Sequence, residues 1–343
     1  MKSIDRWLTE ILKKEKIAGM SVSVTDKKGI VYSRAFGVDS MERPEIPATT
    51  ESMYRIASVT KMFTGVTVMR LVEEGALSLD TPICKYLSWL RLSDKEATER
   101  VTMRHLLSHT AGLPGEYTPV GTCDEDAIIR TLKEALPSLA LHAKPGEGYY
   151  LYSNWGTRLV SAAVIEITGK RFSDVVREYV LSPLGMDKTT FDLRAAATYP
   201  ISLPHVRDVN GAPTVYHYIN ENAARIATGG LYSSTEELAK FARFLLCGGV
   251  SDSKERLLSE ESLLEMWRSH TPKRSDTENH YGLTMILHRT DNGILYGHTG
   301  SAPPYSSSVF IDRERELGVC TLINTSAEGL SKKIPETVLS LFV

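Results

Sequence analysis

The 343-residue sequence contains no run approaching the roughly 18–20 consecutive apolar residues that a membrane-spanning helix needs. Its N-terminus, MKSIDRWLTEILKKEKIAG, scatters charges through the apolar positions and lacks both the uninterrupted apolar stretch and the small-residue cleavage site of a signal peptide. Cysteine is sparse. Cys84, Cys123, Cys247 and Cys320 lie far apart and form no C-x-x-C pair, a pattern that suits free thiols in a reducing compartment. An excess of one charge is missing too: 40 Lys and Arg face 42 Asp and Glu, for a formal net charge of −2, so no overall positive field exists to hold a phosphate backbone or an anionic bilayer. Together these absences predict a cytoplasmic protein, a truncated leader aside, with neither nucleic acid nor membrane among its partners.

What is present is ordinary for a soluble globular chain. Hydrophobic residues make up 42% and charged residues 24%, which excludes wholesale disorder, collagen and coiled coil. At roughly 150 residues per domain the length suits about two domains, and one compact unit carrying an inserted domain is expected. The sequence shows no internal repeat and no low-complexity segment.

Apolar spacing predicts a helix from Ile4 to Ile17, followed by two strands, Met20–Val24 and Ile30–Phe36, around the turn Asp26-Lys27-Lys28-Gly29. From Ser58 to Glu74 the residues are apolar almost all round, which predicts a deeply buried helix stopped by Gly75. Between Leu79 and Asp187 the pattern is helical, with segments at Thr102–Ser108, Asp124–Ala135 and Asn154–Thr168. Thr235–Cys247 and Ser259–Arg268 read as further helices. Tyr281–Thr290, Ile294–His298, Ser306–Asp312 and Leu317–Asn324 then read as four strands joined by short turns, and Ile334–Phe342 as a last helix. The expected architecture is α/β in the α+β sense, an antiparallel sheet flanked by helices. Residues 1–78 and 188–343 would form the sheet domain, with 79–187 an inserted all-α domain.

Three short segments can carry chemistry. In Ser58-Val59-Thr60-Lys61 the three-residue spacing puts a hydroxyl and an amine on the same helix face. A lysine on a buried face loses solvation, which lowers its pKa and lets it act as a base toward serine. Tyr152-Ser153-Asn154 lies in a loop that could project into a cleft, although Asn154 suits an N-cap equally well and Tyr152 a packed aromatic. His298-Thr299-Gly300 ends a predicted strand, where glycine permits close approach of a ligand or another backbone.

In this order the three segments resemble the motif set of serine β-lactamases and penicillin-binding proteins. The resemblance extends to the flanks Tyr54-Arg55-Ile56-Ala57, Leu106-Leu107-Ser108-His109-Thr110-Ala111-Gly112-Leu113 and Gly229-Gly230-Leu231-Tyr232-Ser233-Ser234. It looks closest to the class C-related branch, which includes D-Ala-D-Ala carboxypeptidases, D-aminopeptidases and carboxylesterases. It implies an active site between the sheet domain and the helical domain. It also implies Ser58 as nucleophile, Lys61 and Tyr152 sharing the proton work, and Asn154 orienting the substrate. The oxyanion would rest on the main-chain N–H groups of Ser58 and Ser301, with His298, Thr299 and Gly300 lining the substrate site.

One departure stands out: where class C β-lactamases begin the third motif with lysine, this chain has His298, so positive charge near the site would depend on pH. This counts against efficient β-lactam hydrolysis. A small ester, amide or short peptide with a D-residue is the expected substrate, with a β-lactam as a further ligand.

Among competing readings, His105 and His109 have the i, i+4 spacing of metal ligands, but the segment lacks the glutamate of H-E-x-x-H. No G-x-S-x-G of an α/β-hydrolase occurs. A silent member of the same fold that binds ligand or forms an assembly without turnover is the non-enzyme alternative. Neither metal nor organic cofactor is expected.

Overall fold

The computed structural model describes all residues except 116–121, 218–220, 272–278, 328 and 343. Its centre is a seven-stranded antiparallel sheet contributed by both ends of the chain. The N-terminal hairpin supplies β1 (Gly19–Thr25) and β2 (Ile30–Gly37). The C-terminal meander supplies β3 (Asn279–Tyr281), β4 (Ile286–Thr290), β5 (Gly293–Ala302), β6 (Tyr305–Asp312) and β7 (Leu317–Ile323). The order across the sheet is β2-β1-β7-β6-β5-β4-β3, so β1 pairs with β7, with Met20 opposite Ile323 and Thr25 opposite Gly318.

Alternation along the strands assigns the two faces. On one face, Met20, Val22 and Val24 of β1, Phe310 of β6 and Val319 and Ile323 of β7 meet the first and last helices, α1 (Lys2–Lys14) and α8 (Leu330–Leu341). Ile4, Leu8, Ile334 and Val338 supply the helical side of this layer. On the other face, Val309, Ile311, Cys320 and Leu322 join Leu238, Phe241 and Leu245 of α6 (Thr235–Leu246). This second layer continues without a break into the buried helix α2 (Thr60–Glu73), whose residues from Thr60 to Met69 are all inaccessible. Beyond α2 it runs on to α3 (Met103–Leu107), α4 (Ala127–Ala135) and α5 (Asn154–Thr168). The four cysteines are free thiols.

Two expectations are corrected. The run Tyr281–Thr290 is not one strand, because residues 282–285 leave the ladder. Leu283 N–H donates to Met266 O at the end of α7 (Glu260–Trp267), and Thr284 N–H donates to Leu107 O of α3. Gly282 is needed there, since a Cβ would stand 2.0 Å from Met266 O. The last helix begins at Leu330 rather than Ile334, with Pro335 inside it.

Candidate active site

Ser58 lies in a single 3₁₀ turn, Ala57–Val59, leading into α2. The turn is gripped from two sides. Tyr54–Arg55 pairs with Tyr232–Ser233, and Ile56 N–H donates to Leu231 O at 2.9 Å. On the sheet side, Ser307 Oγ of β6 donates to Ile56 O at 2.6 Å. Ala57, held between them, has a φ of +48°, a left-handed conformation that costs a residue with a Cβ roughly 1–2 kcal/mol. Gly300 of β5 backs the same turn: a Cβ there would stand 2.3 Å from Ile56 O and 2.2 Å from Ser307 Oγ. Gly300→Ala is therefore expected to cost about 1–3 kcal/mol, read as a lower Tm, because the Ile56 backbone must give way as well as the Ser307 hydroxyl that bonds it.

Lys61, one turn beyond Ser58, is fully buried at 0% exposure. Its Nζ donates to Ser58 Oγ at 3.0 Å and to Thr228 O at 2.9 Å, and lies 5.0 Å from the centre of the Tyr152 ring. The segment before Leu231 thus holds the lysine while its continuation pairs with the strand leading to the serine. Arg55 Nε–H donating to Gly229 O and Thr64 Oγ1–H donating to Ala227 O complete that attachment.

Ser153 caps α5, accepting from Gly156 N–H, and its own hydroxyl donates to Pro114 O at 2.6 Å. The N-cap is therefore Ser153, and Asn154, the first helical residue, lines the cavity instead. Its Oδ1 is buried and has no hydrogen-bond partner among the described residues.

His298 on β5 is 2% exposed. It hydrogen bonds through Nδ1 to Thr299 O, which can only accept, so Nδ1 carries the proton and Nε2 accepts from Tyr281 Oη at 2.9 Å. Burial, reinforced by the charge of Lys61, lowers its pKa from 6.5 to about 3. This corrects the expectation of a pH-dependent charge: His298 is a neutral, fixed imidazole throughout the physiological range.

Ser58, Tyr152, Asn154, His298, Thr299 and Ser301 all line one cavity of about 430 Å³, a volume that suits a small ligand. Lys61 and Gly300 stand behind its wall. Tyr150, Tyr281, Ile286 and Lys332 complete the lining, and no motif announced them. Burial drives the phenol pKa values of Tyr150 and Tyr281 well above 10, so both rings stay protonated.

The i, i+4 histidine pair does not survive folding. α3 ends at Leu107, and His105 bonds back to Thr102 N–H in a capping box. His109 turns away beyond the helix end and packs against Tyr152.

The beta-lactamase family model matches residues 4–339. Protein flp of Staphylococcus aureus strain MW2 is 24% identical over 337 residues, covering 96% of this chain, which spans 64% of that relative's length. The octameric penicillin-binding protein homologue from Pyrococcus abyssi superposes with a TM-score of 0.83 at 28% identity, over 99% of this chain and 77% of that one. A D-stereospecific amidohydrolase from Streptomyces sp. shares the fold with a TM-score of 0.77 at 22% identity, over 97% of both chains. With its three motifs gathered on one cavity and the family match running over nearly its whole length, the chain belongs to the beta-lactamase family.

Proposed function

We propose that this chain is a serine hydrolase that works through an acyl-enzyme on a small ester, amide or D-residue peptide, with neither metal nor organic cofactor. The observation that carries this reading is the buried Lys61 amine 3.0 Å from Ser58 Oγ, at the wall of a cavity that Tyr152 shares.

In this reading Ser58 Oγ attacks the substrate carbonyl carbon and its proton passes to the Lys61–Tyr152 pair. The carbonyl oxygen becomes an oxyanion held by the Ser58 and Ser301 N–H groups. Collapse expels the alcohol or amine, which takes up the proton and leaves an ester on Ser58. Water, deprotonated by the same pair, then hydrolyses that ester and frees the serine. Asn154 Oδ1, a buried acceptor lacking a donor among the described residues, supports substrates that carry an N–H, because leaving it unmet costs about 1–3 kcal/mol.

Likeness to the penicillin-binding homologue at 28% identity supports a second reading, a penicillin-binding D-Ala-D-Ala carboxypeptidase or weak β-lactamase. Intact-protein mass spectrometry after brief exposure to a penicillin separates the two. A lasting adduct favours the penicillin-binding reading, released hydrolysed drug a β-lactamase, and an intact drug with activity on an ester or D-aminoacyl amide panel the first reading. A protein that neither a penicillin nor a fluorophosphonate labels would be a silent member of the fold.

Lys332, half-buried on α8, brings a positive charge to the lining that neutral His298 does not supply. Substrates with a carboxylate are therefore expected to be favoured. Lys332→Met should lower the kcat/KM ratio of an N-acetyl-D-alanyl thioglycolate ester over its amide by about 10-fold, and high salt should erode the wild-type preference.

A further inference from the structure

The acyl-transfer reading leaves one buried imidazole beside its apparatus without a task. His109 lies two residues beyond the end of α3 with a φ of +57°, again a costly conformation for a residue with a Cβ. The left-handed turn places its ring 4.3 Å from that of Tyr152 and 4.8 Å from that of Tyr281, centre to centre, with Tyr150 at 6.1 Å. Its backbone oxygen accepts Leu151 N–H at 2.9 Å, and its Nδ1 accepts Ser153 N–H at 3.2 Å. The residues immediately before and after Tyr152 therefore both hang on His109, one on its main chain and one on its ring.

We infer that His109 is the positioning residue for Tyr152, holding the phenol beside Lys61 by bracketing its peptide on both sides and packing against its ring.

Three features fit this assignment. Because Ser153 N–H occupies Nδ1, the ring proton sits on Nε2, which is buried with no partner among the described residues. An unmet buried N–H costs about 1–3 kcal/mol, so a phenylalanine would serve mere packing better. The groups facing the ring are Lys61 from α2, Tyr150 and Tyr152 from the loop before α5, Tyr281 from β3 and His298 from β5. Burial, and then the charge of Lys61, hold the imidazole far below its usual pKa, so it stays neutral and adds no second charge next to the lysine. Finally, the bracket continues along the chain: Gly146 N–H donates to Thr110 O, His142 N–H to Gly112 O, and Ser153 Oγ–H to Pro114 O. Residues 109–114 thus form a rail on which the loop carrying Tyr152 is laid.

Two substitutions separate the bracket from the packing. His109→Phe keeps an aromatic ring and loses the acceptor for Ser153 N–H. His109→Asn loses the ring and keeps an acceptor close to the place of Nδ1. The kinetic arm rests on the acyl-transfer reading and uses p-nitrophenyl acetate. His109→Phe is expected to lower kcat by about 10²-fold with KM within about 3-fold, and His109→Asn to recover at least about 10-fold of that loss.

The second arm needs no turnover. In protein labelled with ¹³Cζ-tyrosine, the Tyr152 resonance, assigned by its loss in Tyr152→Phe, should titrate at higher pH in His109→Phe than in wild type and return toward the wild-type value in His109→Asn. An unchanged Tyr152 titration in both variants overturns the inference, as does an Asn variant no better than the Phe variant in either arm. If wild type hydrolyses no ester while the Tyr152 titration shifts as expected, the positioning role stands and the substrate assignment fails.

Discussion

Ser58→Ala is expected to leave the fold intact and the free energy of unfolding within about 0.5–1 kcal/mol of wild type while abolishing covalent labelling by a fluorophosphonate and lowering hydrolysis by on the order of 10⁴–10⁶-fold. Stability should hold because Ser58 is only half-buried and the turn that carries it is secured by main-chain contacts at Ile56, not by its hydroxyl. Lys61 loses one acceptor and keeps Thr228 O. Activity should vanish because Ser58 Oγ is the hydroxyl placed 3.0 Å from the lysine amine, while Ser301, which also lines the cavity, is exposed. Labelling of Ser58→Ala at an undiminished rate would move the nucleophile elsewhere and end the proposed mechanism.

Acid should undo this protein through its interior imidazoles. His298 has a folded pKa of about 3 against an ordinary value of 6.5, with burial the leading cause, and His109 is lowered as well. Below pH 6.5 the unfolded chain takes up protons that the folded chain refuses, so stability is fully present above that value and is lost as pH falls toward 3. At about 1.4 kcal/mol per pKa unit, the His298 gap sets a ceiling of roughly 5 kcal/mol. Wild type is therefore expected to lose Tm steeply between pH 7 and 4. His298→Gln, which retains an acceptor for Tyr281, should start less stable at pH 7 and lose distinctly less over the same interval. Parallel losses in both proteins would show that other groups govern the acid transition.

How far the sequence led depends on where each residue's partners lie. The S-x-x-K spacing placed Ser58 and Lys61 together correctly because both belong to one local turn. Asn154–Thr168 was bounded correctly, its end marked by Gly169 in the left-handed conformation, although the sequence offered Asn154 as a cap and the structure uses Ser153. The break in the strand at Gly282 was invisible, since its cause is contact with Met266 and Leu107, and periodicity carries no trace of such partners. The apolar stretch starts the last helix a turn late, at Ile334, whereas the buried series Leu330, Ile334, Val338 reaches back to Leu330. His109 misled most. Counting residues along α3 pairs it with His105, whereas its positive φ carries it out of the helix and into the tyrosine cluster. Of the cavity wall, the motif residues were legible; Tyr150, Tyr281, Ile286 and Lys332 arrive there through tertiary packing alone.

The hydrogen bond from Ser307 to Ile56 joins residues 251 positions apart. A ribosome adding about 5–20 residues each second needs on the order of 10–50 s to make the intervening chain. Throughout that interval the serine turn exists without the strands that hold it from behind, and β1 waits for β7. A nascent chain can therefore present Ser58 and Lys61 long before it can hold them in register. On the acyl-transfer proposal, activity should appear abruptly once the strands near residue 300 dock, rather than grow with chain length.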